Sequence, residues 1–322
     1  MKVLVFVSGV RRPNNTGQYS SLSNYCDVEV RSLSKKEQSR FDLIARDIDF
    51  SLYDVVLIDL IFRKILKFWW VFSEISNLFF FEEDLCQNFI EESRWYGEFV
   101  EFYQRIPKFC LLSSGHSIVS RMKSIGIDAR VFPKGYDDKV IFFGESARPV
   151  RYGFIGALGS PVYRVRRHIL EELTSSIGLE LMSAEPGPKY AVALSSIDVF
   201  ISCDAGLNEY MIKNFEALGA GCILCAYRQS DEVSLGFIDM VNMVSYSDEF
   251  ELKEKLTFLE KNPKFKELLR KRGAELAKRK YSYSELGGVL YGQLSQEAEN
   301  NDMFHLTKRD QLVTAFHRIT RG

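Results

Sequence analysis

The chain has 322 residues, of which 46% are apolar and 26% charged, and its formal net charge at pH 7 is −1. That balance is the one expected of a soluble globular protein long enough for two domains, each with its own core. It gives no overall basic field, so no nucleic-acid partner is expected. The aromatic stretch 59–81 is interrupted by Arg63, Lys64, Lys67 and Glu74, and a spanning helix needs about twenty mostly apolar residues, so none is expected there.

Short apolar runs alternate with helix-length segments from the start. Residues 3–7 read as a buried strand, followed by a loop with Gly9, Pro13 and Gly17 and a helix to about Tyr25. Further strands are expected at 28–31, 55–60, 78–81 and 109–112, with 84–105 as the longest helix of this half. Pro133, Gly135, Arg148 and Pro149 punctuate a stretch of weak periodicity, which places a linker at about 143–150. A second series then runs through strands at 152–156, 179–182, 197–202, 222–226 and 243–246. Residues 251–279 read as charged helices with i,i+4 pairs such as Glu251–Lys255.

This alternation predicts an α/β protein with parallel sheets, built as two Rossmann-like domains facing across a cleft. The expected division is 1–145, 146–295 and a tail or helix at 296–322. In such sheets ligands bind beyond the carboxyl ends of the strands.

There are six cysteines, and Cys222-Ile-Leu-Cys225 has the spacing of a redox or zinc pair. Its setting, Gly-Cys-Ile-Leu-Cys-Ala, reads instead as a buried strand in which the thiols act as small hydrophobes. The opening Met-Lys-Val-Leu-Val-Phe-Val-Ser-Gly does not resemble a secretory signal. Reduced thiols and a cytoplasmic location are the expectation.

Three stretches carry the chemistry. The most informative runs from Asn208 through Glu209, Lys213 and Glu216 to Gly221, and reads as a helix, a glycine turn and a buried strand. Its Phe215-Glu216-Ala217-Leu218-Gly219-Ala220-Gly221 resembles the Phe-Glu-Ala-(Leu/Met)-Ala-x-Gly element of GT-B glycosyltransferases. The likeness is to the retaining nucleotide-sugar families and their spore-maturation-protein-like relatives. The resemblance implies that Glu216 holds the ribose hydroxyls of the donor, a task that suits a carboxylate because it accepts two charge-assisted bonds at once. Relatives often carry a second glutamate eight positions earlier. Here that position is Asn208, and Glu209 follows it. Contact with the transferred sugar therefore falls to Asn208 or Glu209, unless Glu209 is simply a first-turn carboxylate favoured by the helix dipole.

The second stretch, 153–170, is similar to the first strand, glycine turn and basic helix start of the family's C-terminal domain. It offers Gly156, Arg164, Arg166 and Arg167, and with Lys213 these are the candidates to neutralise a leaving diphosphate without a metal. The bland alternative is that the arginines only solvate a helix. The third, Pro133-Lys-Gly135-Tyr-Asp137, is similar to the segment that leads into the interdomain hinge.

The N-terminal half is less explicit. Gly9, with Ser8 and Gly17, can form a loop near the donor diphosphate or the acceptor, but no GxGxxG fingerprint is present. His116 follows a strand, where it would orient the acceptor or donor sugar, or have no role. One of Glu82, Glu83 and Asp84 is a candidate to bind or deprotonate an acceptor hydroxyl. Asp47-Ile-Asp49 is a literal Asp-x-Asp, but it sits at a helix exit, and no metal site is expected. The basic and aromatic segment 63–72 offers a peripheral contact with the inner face of a membrane or, as the preferred reading, a packing helix.

The expected activity is transfer of a sugar from a nucleotide-sugar donor to a glycan, lipid-linked or protein acceptor, retaining, metal-independent and without a cofactor. Bacterial surface polysaccharide or glycoconjugate synthesis is the expected setting. A nucleotide-sugar epimerase or hydrolase on the same fold, or a catalytically idle binding subunit, are the alternatives.

Overall fold

A computed structural model describes residues 1–10, 15–144, 147–207 and 209–296. Asn208, and the expected tail apart from its first residue, lie outside the described residues.

Two parallel sheets form, as the alternation predicts. The first takes β1 (Lys2–Ser8), β2 (Asp27–Leu33), β3 (Val55–Asp59), β4 (Leu78–Glu82), β5 (Cys110–Ser113) and β6 (Ala129–Val131) in the order β2-β1-β3-β4-β5-β6. The second takes β7 (Val150–Ile155), β8 (Glu180–Met182), β9 (Ile197–Ser202), β10 (Ile223–Tyr227) and β11 (Val244–Tyr246) in the order β11-β10-β9-β7-β8. Val3 to Val7 are all at most 1% exposed, because helices cover both faces of the sheet and leave no side of the strand for polar residues. One core of the first domain is rich in phenylalanine, with Phe6, Phe41, Phe72, Phe80 and Phe102 meeting edge-on or stacked.

Three features differ from the sequence reading. The segment 84–105 is not one helix but a 3-10 turn, Leu85–Phe89, and a short helix, Glu98–Gln104. Gly97 takes a left-handed φ of 77° between them. The Asn88 carbonyl accepts from the Gly97 N–H at 3.0 Å, and its side-chain oxygen accepts from the Val100 N–H at 3.1 Å. These local bonds compete with a continuous helix. The strand β6 was not anticipated, since Ala-Arg-Val is too short for a periodic signal.

The third difference concerns the segment that follows the second sheet. It crosses to the second domain near Tyr136 and returns at Ser282, and the two crossings pair as a short parallel bridge. Tyr136 N–H donates to the Tyr281 carbonyl, and Tyr283 N–H donates to the Tyr136 carbonyl, both at 2.9 Å. A Cβ on Gly135 would collide with the Tyr281 carbonyl and with Leu286, so glycine is required for this approach. The helix at 283–296 then packs on the first domain, where Tyr283, Leu286, Leu290 and Leu294 join the core of β1, β3 and β4. Residues 283–296 are therefore part of the first domain's core although they follow the second in sequence.

Leu290 is 1% exposed in that core. Leu290→Ala should lower stability by about 2–5 kcal/mol in denaturant unfolding followed by tryptophan fluorescence. A change no larger than that of a surface substitution would show that the returning helix does not belong to this core.

Candidate active site

A cavity of about 610 Å³ lies at the carboxyl ends of β7 and β8. Gly156 and Ala157 follow β7, while Met182 through Ala184 continue β8. Glu216 and Lys213 enter from the helix Ile212–Gly219, Tyr190 from Pro188–Ser195, and Asp137 from the crossing segment. A Cβ on Gly156 would lie 2.6 Å from the Phe154 ring, which explains the glycine at this bend.

The glutamate helix is built so that only Glu216 and Lys213 reach the cavity. Phe215 turns the other way, with its ring 4.7 Å from that of Tyr281. Ala217, Leu218 and Ala220 are fully buried. Gly219 lies under the Tyr136 ring, where a Cβ would come within 2.5 Å of it. Gly221 ends the turn with φ of +75°. Glu216 is only 2% exposed. Its Oε2 accepts from the Tyr190 hydroxyl at 2.6 Å and pairs with Lys213 Nζ at 3.0 Å. That ammonium also lies 4.1 Å from the centroid of the Tyr190 ring. The carboxylate is thus fixed in place at the cavity wall before any ligand arrives.

Glu209 occupies a different place, between the domains. It is 1% exposed, and its Oε2 accepts from the Ser114 hydroxyl at 2.9 Å. Its Oε1 lies 3.2 Å from Lys134 Nζ, an ion pair outside hydrogen-bond geometry. Burial pushes the Glu209 carboxyl up against the pull of Lys134. Burial alone would lower Lys134, but Glu209 and neighbouring acids hold it above its ordinary value, so it stays a cation.

The three arginines separate. Arg166, 5% exposed, donates to the Cys203 carbonyl at 2.8 Å and to Asp204 Oδ1 at 2.5 Å. Asp204 in turn accepts from Met211 N–H at 3.1 Å and from the Asn214 side chain at 2.6 Å. Arg166 therefore anchors the loop before the glutamate helix, and a buried ion pair occupies it where a diphosphate contact was expected. Arg164 is exposed and pairs with Glu92 of the first domain at 3.0 Å. Arg167 reaches the Leu158 carbonyl at 3.5 Å and so stays beside the loop after β7.

His116 lies beyond the carboxyl end of β5, as expected, but it does not line the large cavity. It begins the helix His116–Ser124, and its N–H donates to Asp231 Oδ2 of the second domain at 2.8 Å. It lines a separate cavity of about 300 Å³ with Pro133, Lys280 and Tyr281, beside the chain crossings. Gly9 follows β1, with its N–H on the Leu33 carbonyl at 3.0 Å, and does not line the large cavity.

At the carboxyl ends of the first sheet the acids form two groups. Asp59 accepts from Tyr19 at 2.7 Å and from Asn15 at 3.1 Å, while Asn15 also reaches Glu83 at 3.2 Å. Glu82 and Asp84 instead face a second cavity near Trp95. Asp49 caps the turn Phe50–Leu52, accepting from the Ser51 N–H at 3.0 Å. Among the described residues no group of His, Cys, Asp or Glu has an arrangement able to hold a metal. Burial pushes the Cys222 thiol up to about 11 and Cys225 higher still, so neither is poised as a thiolate nucleophile.

Tyr190, Lys134 and Asp204 were not picked out from the sequence. Lys134 lies inside the Pro-Lys-Gly turn and Asp204 follows a strand, so each had a positional signal. Tyr190 had none.

Because the Glu209–Lys134 pair is buried, Glu209→Leu or Lys134→Met alone should cost about 3–5 kcal/mol, and the double substitution should recover much of the loss. Denaturant unfolding of all four proteins forms the cycle. A double variant as unstable as the sum of the singles would show that the two groups do not depend on each other.

Residues 166–286 match a family model described as glycosyl transferase-like. No curated protein sequence matches the chain. Among solved structures, Anabaena HepE in complex with UDP-glucose is similar at a TM-score of 0.65 and 9% identity, over 93% of this chain and 100% of that one. A sucrose-phosphate synthase from Thermosynechococcus elongatus gives 0.64 and 9%, over 94% of this chain and 100% of the other. A DNA-modifying β-glucosyltransferase, determined with and without uridine diphosphoglucose, gives 0.61 and 9%, over 91% and 99%. With two facing parallel α/β domains and this match across its second half, the chain has the GT-B glycosyltransferase fold and carries a glycosyl transferase-like domain at 166–286.

Proposed function

We propose that the chain is a glycosyltransferase moving a sugar from a nucleoside-diphosphate sugar to an acceptor hydroxyl. The observation that carries this reading is the 610 Å³ cavity with the preorganised Glu216 in its wall and Lys213 beside it. A pocket of that size accommodates a nucleotide. The ribose hydroxyls donate to Glu216, and the diphosphate lies toward Lys213, Arg167 and the backbone N–H groups of the loop after β7. The base enters beside Met182–Ala184. UDP-glucose in HepE and uridine diphosphoglucose with the β-glucosyltransferase favour a uridine donor.

In the reaction the acceptor oxygen bonds to the sugar's anomeric carbon as the bond from that carbon to the diphosphate breaks. The bonding pair leaves with the diphosphate, and the hydroxyl proton passes to a departing phosphate oxygen. Lys213 and the loop amides stabilise the charge that develops, and the facing domains supply orientation. Retention and independence of a metal are part of the proposal, motivated by the likeness of 215–221 to retaining families. Synthesis of a bacterial surface polysaccharide or glycoconjugate on the cytoplasmic side of a membrane completes it. Along 63–72, Arg63, Lys67 and Trp70 remain outward while Ile65, Phe68 and Phe72 are buried. Among the described residues no helix is long and apolar enough to cross a membrane.

Calorimetric titration with UDP and 2′-deoxy-UDP tests the ribose contact. Glu216→Gln should weaken UDP by roughly ten- to hundredfold, the equivalent of about 1.5–3 kcal/mol for a hydrogen bond to a charged group. The deoxy ligand should bind wild type weakly and lose little more in the variant. Equal losses for both ligands would remove Glu216 from the ribose site. Product analysis by NMR of the new anomeric proton separates transfer with retention from inversion, hydrolysis or epimerisation.

A further inference from the structure

A second cavity, of about 370 Å³, opens between the domains, and the proposed donor chemistry leaves it unused. Phe62, Trp95 and Phe99 form its apolar wall, and Glu82 and Asp84 stand at the carboxyl end of β4. Arg63 and Arg94 complete the first domain's side, and Ser160 reaches in from the second. Ser160 belongs to the loop after β7 whose Gly156 and Ala157 line the large cavity. The four-residue step from Gly156 to Ser160 spans at most about 14 Å, so one short loop runs from one cavity to the other.

Among the described residues neither Arg63 nor Arg94 has a carboxylate partner. The Arg94 guanidinium lies 4.1 Å from the centroid of the Trp95 ring, which holds its plane without using its hydrogen-bond donors on an acid. Phe62 meets Trp95 edge-on with centroids 5.4 Å apart, so the wall is stiff. Guanidinium forks match oxyanions bidentately, aromatic faces suit the C–H face of a sugar ring, and carboxylates accept from hydroxyls. The carboxylates also repel an anion, so a ligand with one charged end has one favoured orientation.

We infer that this cavity is the acceptor subsite and that its occupant is an anionic saccharide. Arg63 and Arg94 hold its phosphate or carboxylate, and Glu82 and Asp84 receive its hydroxyls beside the donor cavity. The inference rests on the glycosyltransferase reading.

The test uses the full chain saturated with UDP and titrated with glucose, glucose 6-phosphate and glucuronic acid, followed by ligand-observed NMR. At least one charged sugar should bind tenfold or more tightly than glucose, and the tighter of the two identifies phosphate or carboxylate as the recognised group. Arg63→Ala combined with Arg94→Ala should remove that preference and leave UDP affinity unchanged; both side chains are exposed, so folding should survive. If UDP binds but glucose competes equally with both charged sugars, or the double variant keeps the preference, the inference fails and the donor reading stands. Failure of UDP to bind wild type overturns the donor reading, and this inference with it.

Discussion

The arrangement of this molecule depends on the contact between its two chain crossings. Tyr136 exchanges backbone hydrogen bonds with Tyr281 and Tyr283, and its ring lies on Gly219 at the end of the glutamate helix. One residue thus ties together the outgoing chain, the returning chain and the element that carries Glu216. Both glycines are required by sterics: a side chain at Gly135 would part the crossings, and one at Gly219 would lift the tyrosine off the helix. The position of Glu216 relative to the first domain is therefore set by backbone contacts and close packing, not by its own surface interactions.

Charge is used in two distinct ways around the cleft. Arg166–Asp204 and Lys134–Glu209 are buried ion pairs, one fixing the loop before the glutamate helix and the other spanning the domains. Such pairs add little net stability over apolar substitutes, but removing one partner strands the other. Lys213 is different. It is partly exposed at the cavity, held by Glu216 and the Tyr190 ring, and remains able to meet an anion. The cations that matter for a ligand are those left accessible once the structural pairs are formed.

The alternation of apolar runs made the two parallel sheets legible, because strands buried on both faces are continuous apolar runs. The Phe-Glu-Ala-Leu-Gly-Ala-Gly stretch also made the placement of Glu216 legible, since helix, turn and strand each have a local signature. What was hidden depends on contacts across distant parts of the chain. Three arginines within four residues look alike in sequence, yet Asp204, 38 residues after Arg166, takes one of them out of the cleft. Tyr190 reaches Glu216 across 26 residues, and nothing in its neighbours announces it. The return of 283–296 to the first domain was hidden for the same reason, as its leucines indicate a buried face without saying which core receives it.

The bond from His116 N–H to Asp231 crosses from one domain to the other. Gly115, the residue preceding that helix, has no side chain to serve as a cap, so the cap is supplied in trans. Parting the domains would strip the first turn of a helix of its acceptor and of a negative charge placed at its positive end. A widening of the cleft would therefore take the acceptor of this N–H away and leave the first turn of His116–Ser124 to water. An amide at the start of one helix becomes a built-in reporter of the separation between the two halves.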